Sequence, residues 1–312
     1  MAIQVPLIRS YTAADLPAVF DLYRRLPQQL DDPLLMASLA QFESDMHAGR
    51  LYQPLTCYMP SANIAVVAEQ DGQIVAFANG GLLERGDFLV ENGTAILRLI
   101  VGKRQHRDAV RAVIRHVTEH LQGFDPTRIQ AFNAAMSPPF FGCLSGMLPS
   151  NWNWIAQCLL DEGYTTEFTS LFMVRDFEHD PPQAIPLPDG FLIKEWKTYV
   201  MDHAVGIDPK YNVGYGLYEG EEYVGWCGNL YAGAWVQDAD YGYVYTNWFT
   251  VMDSYKGRGL GRVLLRHGLV EAAALGAKGA ILLTTMDNFI AQDLYRSEGY
   301  RVVDVGSSFK LG

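Results

Sequence analysis

The chain has 312 residues, a formal net charge of −11 and 49% hydrophobic residues. This length exceeds what one hydrophobic core serves well, so we expect two domains. The acidic balance argues against a nucleic-acid partner, and no apolar run is long enough to span a bilayer. The four scattered cysteines form no C-x-x-C pair, which argues against a zinc site or a disulfide framework. With no secretion signal at the N-terminus, a cytoplasmic protein without a metal is expected.

The N-terminal half predicts an alternation of strands and helices. Thr12-Ala-Ala-Asp15 is typical of a capping box, and Asp71-Gly72 is typical of a hairpin turn. The predicted strands are Leu7–Tyr11, Asn63–Glu69, Gln73–Leu83, Ala95–Val101, Arg128–Ala134 and Thr166–Val174. One predicted helix begins near Thr12. Three more cover Asp32–His47, His106–Gln122 and Asn153–Glu162.

The segment Arg175–Asp189 is charged and rich in proline, which disfavours helix, so it predicts a linker. The expected organisation is a first domain over 1–177, a linker over 178–189 and a second domain over 190–312. In the second domain the predicted strands are Phe191–Trp196, Val213–Tyr218, Glu222–Tyr231, Tyr241–Val251, Gly279–Thr285 and Tyr300–Lys310. The predicted helices there are Gly259–Leu275 and Asn288–Glu298.

Two similar segments form an internal sequence repeat between the two halves. The residues Asn153–Tyr164 resemble Asn288–Tyr300, with an offset of one residue near the end. Both segments lie between a strand and a final strand. A tandem duplication is the simplest explanation, and an ordinary helix terminus that arose twice is the alternative.

A glycine-rich turn follows the apolar strand that ends at Val251. Glycines at 257, 259 and 261 allow positive φ and a close approach of the backbone to a ligand. The N–H groups of the next helix turn point outward, where the helix dipole favours negative charge. The pattern predicts a pyrophosphate cradle, and three cations could add positive charge to it: Lys256, Arg258 and Arg262.

Other glycine-rich sites fit this turn less well. A P-loop requires G-K-[ST], which does not follow here. A nicotinamide-binding fold places its fingerprint in the first βαβ unit, with an acidic ribose ligand after it, whereas a long antiparallel region precedes this turn. A tight turn that binds no ligand stays open as an alternative.

Two motifs carry a family resemblance. Val251–Gly261 resembles the acetyl-CoA signature of the GCN5-related N-acetyltransferase (GNAT) superfamily, [Q/R]-x-x-G-x-[G/A], with Lys256 in place of Gln or Arg. Asn288–Tyr300 resembles the family's N-x-x-A-x-x-L-Y-x-x-x-G-[FY] helix. The resemblance covers the C-terminal domain well and the N-terminal domain in outline.

The resemblance implies a mixed α+β fold of two tandem GNAT-like domains, each with a splayed central sheet flanked by helices. It also implies that the first copy is degenerate. When Val101 is aligned with Val251, Ala109 and Arg111 stand at the positions of Gly259 and Gly261. The position of the motif tyrosine then falls at Leu159 or Leu160. We therefore expect the working site in the second domain.

For that site, the resemblance implies that acetyl-CoA, or another acyl-CoA, enters between two diverging strands. Its pantetheine arm would pair with backbone groups near Phe249 and Val251, and an amine would attack the thioester directly. Tyr295 stands at the family's general-acid position, and a core aromatic residue is the alternative. Asn288 would contact the cofactor, cap its helix, or do both. The implied cofactor-binding residues are Phe249, Thr250, Val251, Lys256, Gly257, Arg258, Gly259, Leu260, Gly261, Arg262 and Asn288.

The general base and the acceptor are less defined by the sequence. Many relatives have Glu where this chain has Tyr245, so the candidate proton relays are Tyr245, Tyr243, Asp240 or a water chain. The expected acceptor is a primary amine of a small molecule, and nearby acids and aromatics favour a cationic one. Solvated acidic loops explain the same residues. A non-catalytic protein that binds or senses acyl-CoA is the alternative function, because the strand carboxylate is missing.

Overall fold

The computed structural model describes residues 5–25, 39, 42–43, 61–83, 91–134, 145–196, 213–231 and 242–312. The predicted helix over Asp32–His47 lies largely outside the described residues. The chain forms two compact units, 1–169 with 305–312 and 170–304. The predicted organisation divides the chain at 177 and 190, whereas these units divide it after 169 and 304. The difference arises because the C-terminal strand pairs with strands of the first unit, which sequence order does not reveal.

The first unit is built on a mixed sheet. Its strands are β1 Leu7–Ser10, β2 Ser61–Gln70, β3 Gln73–Leu83, β4 Thr94–Gly102, β5 Arg128–Ala131, β6 Leu148–Pro149, the first part of β7 Tyr164–Asp176 and the end of β13 Arg301–Leu311. The order β1-β2-β3-β4-β5 is antiparallel except for the parallel β4–β5 pair, and β13 pairs with β5 and β6. The helices are α1 Leu16–Arg24, α2 Arg107–Gln122 and α3 Asn153–Asp161.

Local sequence signals explain several element boundaries of the first unit. The capping box of Thr12 and Asp15 forms as predicted. Asp71 and Gly72 both have positive φ, 52° and 71°, as a two-residue hairpin turn requires. The predicted strand to Ala134 is wrong by three residues: β5 ends earlier because Phe132 adopts a φ of 56°, which ends the extended backbone. Helix α2 packs on β2, β3 and β4 with an apolar face made of Val110, Val113, Ile114, Val117 and Leu121.

The second unit has its own sheet, in the order β7-β12-β11-β10-β9-β8. Its remaining strands are β8 Phe191–Trp196, β9 Val213–Glu219, β10 Glu222–Tyr231, β11 Tyr243–Val251 and β12 Gly279–Thr285. Its helices are α4 Leu260–Ala274 and α5 Phe289–Ser297. Helix α4 packs on β9, β10 and β11 over a core that includes Tyr215, Leu217, Val224, Cys227, Leu260 and Leu264. No helix among the described residues has the length and apolar character needed to cross a membrane.

Candidate cofactor site

Strands β11 and β12 diverge part-way along their length. They pair in parallel only from Tyr243 opposite Gly279 to Tyr245 opposite Ile281. Beyond that point β12 pairs with β7 as far as Thr285, and β11 pairs with β10 as far as Val251. Among the described strands, none pairs with the later part of β11 on the side of β12, and this side is called the open edge of β11. A strand with unpaired N–H and C=O groups can bind an extended ligand as an added strand would.

A β-bulge changes which backbone N–H and C=O groups of β11 point to this edge. The register between β10 and β11 shifts so that Cys227 faces Phe249 while Gly228 faces Asn247, which makes residue 248 the extra one. After the bulge, the N–H of Met252 donates to the carbonyl of Val224, at 2.8 Å. Because backbone groups alternate along an antiparallel strand, those of Val251 and Phe249 then point to the open edge. The structure thus directs to this edge the backbone groups that were expected to receive the pantetheine arm.

The glycine loop leads from this edge into α4. Gly257 and Gly259 have φ of 79° and 77°, and a Cβ added at either would meet nothing within 4 Å. These two glycines are therefore required by the backbone conformation, and space for a ligand lies beside them. Among the described residues, no group accepts a hydrogen bond from the N–H groups of residues 257–261. Such unpaired N–H groups at the start of a 15-residue helix form an anion-binding site.

All three predicted cations are already paired with carboxylates, Arg262 with Glu298. The Nζ atom of Lys256 lies 2.5 Å from Oδ1 of Asp253. The guanidinium of Arg258 lies 3.4 Å from Glu219 and over the rings of Tyr255 and Phe191, at 5.0 and 5.2 Å from their centroids. A diphosphate would therefore compete with these acids for the side chains, while the backbone N–H groups are unpaired.

Tyr295 lies beside the open edge of β11. Its ring centroid is 6.3 Å from that of Phe249 and 5.8 Å from that of Tyr300, and the residue is buried. Burial raises the pKa of Tyr295 above its usual value, so the hydroxyl stays protonated at neutral pH. A Cβ added at Gly261 would be 3.4 Å from Phe249 Cζ and 3.7 Å from Leu294 Cδ2. The first turn of α4, the end of β11 and helix α5 thus meet around Tyr295.

The candidate proton relays occupy different places. Tyr245 is buried in the last β11–β12 pair, at the point where the strands separate. The hydroxyl of Tyr243 donates to Oδ1 of Asp176 at 2.5 Å and lies at the start of β11, away from the open edge. Asp240 lies outside the described residues. Of the two described candidates, Tyr245 is the one at the point where the strands separate, and its role as a proton relay stays a prediction.

Asn288 caps helix α5. Its Oδ1 atom accepts a hydrogen bond from the N–H of Ala291, at 3.3 Å, and the residue is exposed. The capping interpretation is therefore confirmed, and contact with a cofactor stays a prediction. Among the described residues, no group of three or more His, Cys, Asp or Glu side chains could hold a metal ion.

Comparisons with known proteins find similarity to acetyltransferases. Residues 171–300 match the model of the acetyltransferase (GNAT) family. The match indicates a GNAT-like acetyltransferase domain in this part of the chain. Similar solved structures include a GCN5-related N-acetyltransferase from Sphaerobacter thermophilus, with a TM-score of 0.64, 17% identity and coverage of 98% of this chain and 95% of the other.

Two further structures have the same fold over nearly the whole chain. A tandem GNAT protein from the clavulanic acid biosynthesis pathway has a TM-score of 0.62 at 14% identity, with 98% of this chain and 97% of the other covered. A glucosamine N-acetyltransferase region of a fungal multi-domain enzyme has a TM-score of 0.66 at 12% identity, with 99% of this chain and 38% of the other covered. No curated protein matches the sequence. At these identities the structural likeness shows the fold, and the tandem mixed α+β architecture is confirmed.

The second unit contains an ion cluster that sequence reasoning missed. The side chain of Glu298, fully buried just after α5, accepts hydrogen bonds from Nε and Nη2 of Arg266 at 2.7 and 2.8 Å. The Nε atom of Arg262 lies 3.1 Å from the same carboxylate, and Arg175 Nη1 lies at 3.8 Å. Arg262, predicted to face the diphosphate, therefore joins α4 to the end of α5. The Arg-x-x-x-Arg spacing on α4 was the available signal.

The first unit repeats this cluster without the GNAT loop. Glu162 accepts hydrogen bonds from Arg111 Nε at 2.9 Å and from Arg115 Nε and Nη2, both at 2.9 Å. Arg111 therefore corresponds to Arg262, one position away from the expected alignment with Gly261. By this correction Asp108 and Val110 take the places of Gly259 and Gly261, and buried Leu159 takes the place of Tyr295.

Proposed function

We propose that the chain is an acyl-CoA-dependent N-acyltransferase that transfers an acetyl group from acetyl-CoA to a primary amine of a small molecule. One observation carries the proposal: unpaired backbone N–H groups at residues 257–261 lie directly after the open edge of β11. A diphosphate would bind the first feature, and a pantetheine arm would pair along the second. The match of residues 171–300 to the GNAT family model supports the same reaction class.

The chemistry follows from the groups around the gap. A neutral amine attacks the thioester carbonyl carbon within a ternary complex, and the N–H of Val251 donates to the carbonyl oxygen as charge develops there. When the carbon–sulfur bond breaks, Tyr295 donates its proton to the thiolate. Tyr245, at the point of divergence, passes the proton that the amine loses to solvent, and Tyr295 regains its own proton from solvent before the next turnover. No metal is required for these steps.

The acceptor class is an amine that reaches the apex of the gap. The fungal relative named above is described as acting on glucosamine, which is a small primary amine. The strongly acidic balance of the chain, −11 in formal charge, favours acceptors that carry further positive charge. We therefore place glucosamine, aliphatic diamines and amino acids with side-chain amines in the first panel of acceptors.

The test combines binding and turnover. Calorimetry with CoA and acetyl-CoA is expected to register association, and the amine panel is expected to release free thiol from acetyl-CoA. Burial raises the pKa of the Cys158 and Cys227 thiols to about 11 and about 12, so these residues add little background to a thiol reagent. Association without thiol release would favour the acyl-CoA-binding alternative, to which the tyrosine at 245 in place of a carboxylate also points. If neither CoA nor acetyl-CoA associates with the protein, both the acyltransferase and the acyl-CoA-binding hypothesis are wrong.

A further inference from the structure

The buried carboxylate of Glu298 is tied to the backbone of Tyr295. The N–H of Glu298 donates to the carbonyl of Tyr295 at 3.1 Å, and the N–H of Tyr300 donates to the same carbonyl at 3.0 Å. Between them Gly299, with a φ of 84°, reverses the chain at the end of α5. Any movement of Glu298 must therefore move the last turn of α5, to which Tyr295 belongs.

The same carboxylate is tied to the start of the cofactor helix. Arg262 follows the glycine loop by one residue, and its Nη2 atom donates to Ser297 Oγ at 2.9 Å while its Nε atom faces Glu298. Arg266, one turn later, holds Glu298 with two hydrogen bonds. Planar guanidinium groups that bind a carboxylate at two points restrict orientation as well as distance. The cluster therefore fixes α5 against the first two turns of α4.

We propose that Glu298 is a positioning residue for acyl transfer, which holds the hydroxyl of Tyr295 at a set distance from the glycine loop through Arg262 and Arg266. The inference rests on the proposed function. The side chain of Glu298 itself is fully buried just beyond α5, and its ion-pair partners among the described residues are Arg175, Arg262 and Arg266. Its effect on the reaction passes through Tyr295, because the two residues share the turn that the cluster holds.

The first unit supplies a matched control. Glu162 is bound by Arg111 and Arg115 in the same manner, but the neighbouring position corresponding to Tyr295 is Leu159, and no glycine loop precedes α2. Glu162→Gln removes an equivalent carboxylate from an equivalent helix pair. It therefore reports what the loss of the cluster does to stability alone.

The kinetic test compares Glu298→Gln with Glu162→Gln in the Tyr295 and Tyr295→Phe backgrounds, with acetyl-CoA and the best acceptor of the panel. We expect Glu298→Gln to lower kcat about tenfold and to change the Kd of CoA less than about threefold. In the Tyr295→Phe background the same change should have no further effect on kcat, because the hydroxyl through which Glu298 acts is already absent. Glu162→Gln should lower the melting temperature and leave kcat unchanged. Equal kcat values for Glu298→Gln and Glu162→Gln, or additive losses with Tyr295→Phe, would overturn the proposal.

A spectroscopic arm separates this inference from the proposed function. In protein labelled with 3-fluorotyrosine, the ¹⁹F line of Tyr295 is assigned by its loss in Tyr295→Phe. Glu298→Gln should shift or broaden that line, and Glu162→Gln should not. An unchanged line refutes the positioning role whether or not the chain transfers acyl groups. Should Glu298→Gln fail to fold, Ser297→Ala removes the hydrogen bond from Arg262 and the bond that the hydroxyl donates to the Leu294 carbonyl, and leaves the Glu298 carboxylate in place. It should move the same line by a smaller amount.

Discussion

The two units share a sheet design and a helix clamp but differ where a cofactor would bind. In both, a bulge displaces the central strand, and a parallel pair ends early, after Leu97 in β4 and after Tyr245 in β11. Both also hold a glutamate between two arginines of the preceding long helix, α2 or α4, and this glutamate is buried in the second unit and partly buried in the first. Only the second unit has the glycine loop, and only it has a tyrosine, Tyr295, where the first unit has Leu159. The shared features therefore belong to the fold, and the loop and the tyrosine are the features to which the proposed chemistry is assigned.

Tyr295→Phe is expected to have the largest effect on the difference between the units. It gives the second unit an apolar side chain where the first has Leu159. We expect kcat to fall about 100-fold, since a general acid contributes about that factor or more. The Kd of CoA should stay unchanged, because the hydroxyl acts on the leaving thiolate. Since burial raises the pKa of Tyr295, activity should not decline through loss of its proton below pH 10 or so. Steady-state kinetics across pH and calorimetry measure these outcomes.

Tyr164→Phe is the control in the first unit. Its hydroxyl lies 2.7 Å from Thr118 Oγ1 in a buried site, so the change should lower the unfolding free energy by about 1 kcal/mol. Its kcat should equal that of the wild type. If both tyrosine variants lost activity equally, the distinction between the units would be wrong.

A second prediction concerns acid stability of the first unit. The Arg9 guanidinium beside Asp15 holds the pKa of that carboxyl at about 2, below the usual 3.8. A lowered pKa in the folded state stabilises the protein above the unfolded value, and this stability is lost as the pH falls from about 4 to about 2. We expect a loss of about 2 kcal/mol across that range, and Asp15→Asn should lose a similar amount already at neutral pH.

Urea unfolding at pH 6 and at pH 2, monitored by probes in each unit, measures this difference. Asp253→Asn in the second unit is the control, because Asp253 is exposed beside Lys256 and its ion pair should contribute no measurable stability. If Asp15→Asn kept the full pH dependence of the wild type, the source of the acid sensitivity would lie elsewhere.

Much of the fold could be predicted because its elements carry strong local signals. The strands predicted over Gln73–Leu83 and Glu222–Tyr231 match the observed strands to the residue. What local pattern could not reveal was the return of the last strand to the first unit, because pairing partners far apart in sequence leave no local trace. The early end of β5 depends on a single non-glycine residue with positive φ, Phe132, which composition does not announce.

For the candidate site, the backbone conformation of the glycine loop could be predicted from the sequence. The directions of its charged side chains could not. Gly257 and Gly259 adopt the positive φ that their identity suggested. The cations were expected to face a diphosphate, but the structure gives Arg262 to Glu298 and Arg258 to Glu219. A charge in a motif does not indicate which way its side chain turns, since its carboxylate partners come from distant segments.

The third prediction makes the loop of the second unit less able to bind an anion. Gly259→Ala places a Cβ on a residue with a φ of 77°, which strains the left-handed backbone by about 1 kcal/mol although the space is open. We expect the strain to turn the first N–H groups of α4 and to raise the Kd of CoA about tenfold. Gly72→Ala is the control: its φ is 71°, its surroundings are equally open, and it lies at a hairpin of the first unit. It should lose the same stability and no affinity, and an equal loss of affinity in both variants would rule out the loop as the binding site.

The smallest expected effect tests whether backbone or side chain holds the diphosphate. Lys256 and its partner Asp253 are both largely exposed, at 66% and 93%, so the free energy of that pair is small and is screened by salt. Lys256→Ala should raise the Kd of CoA only about threefold, and the difference should shrink at high salt. Lys103→Ala, which removes a lysine near the start of α2 in the first unit, should leave the Kd unchanged. Because the N–H groups of residues 257–261 stay in place in Lys256→Ala, a loss above about 30-fold would mean that the side chain, and not the backbone, is the main ligand.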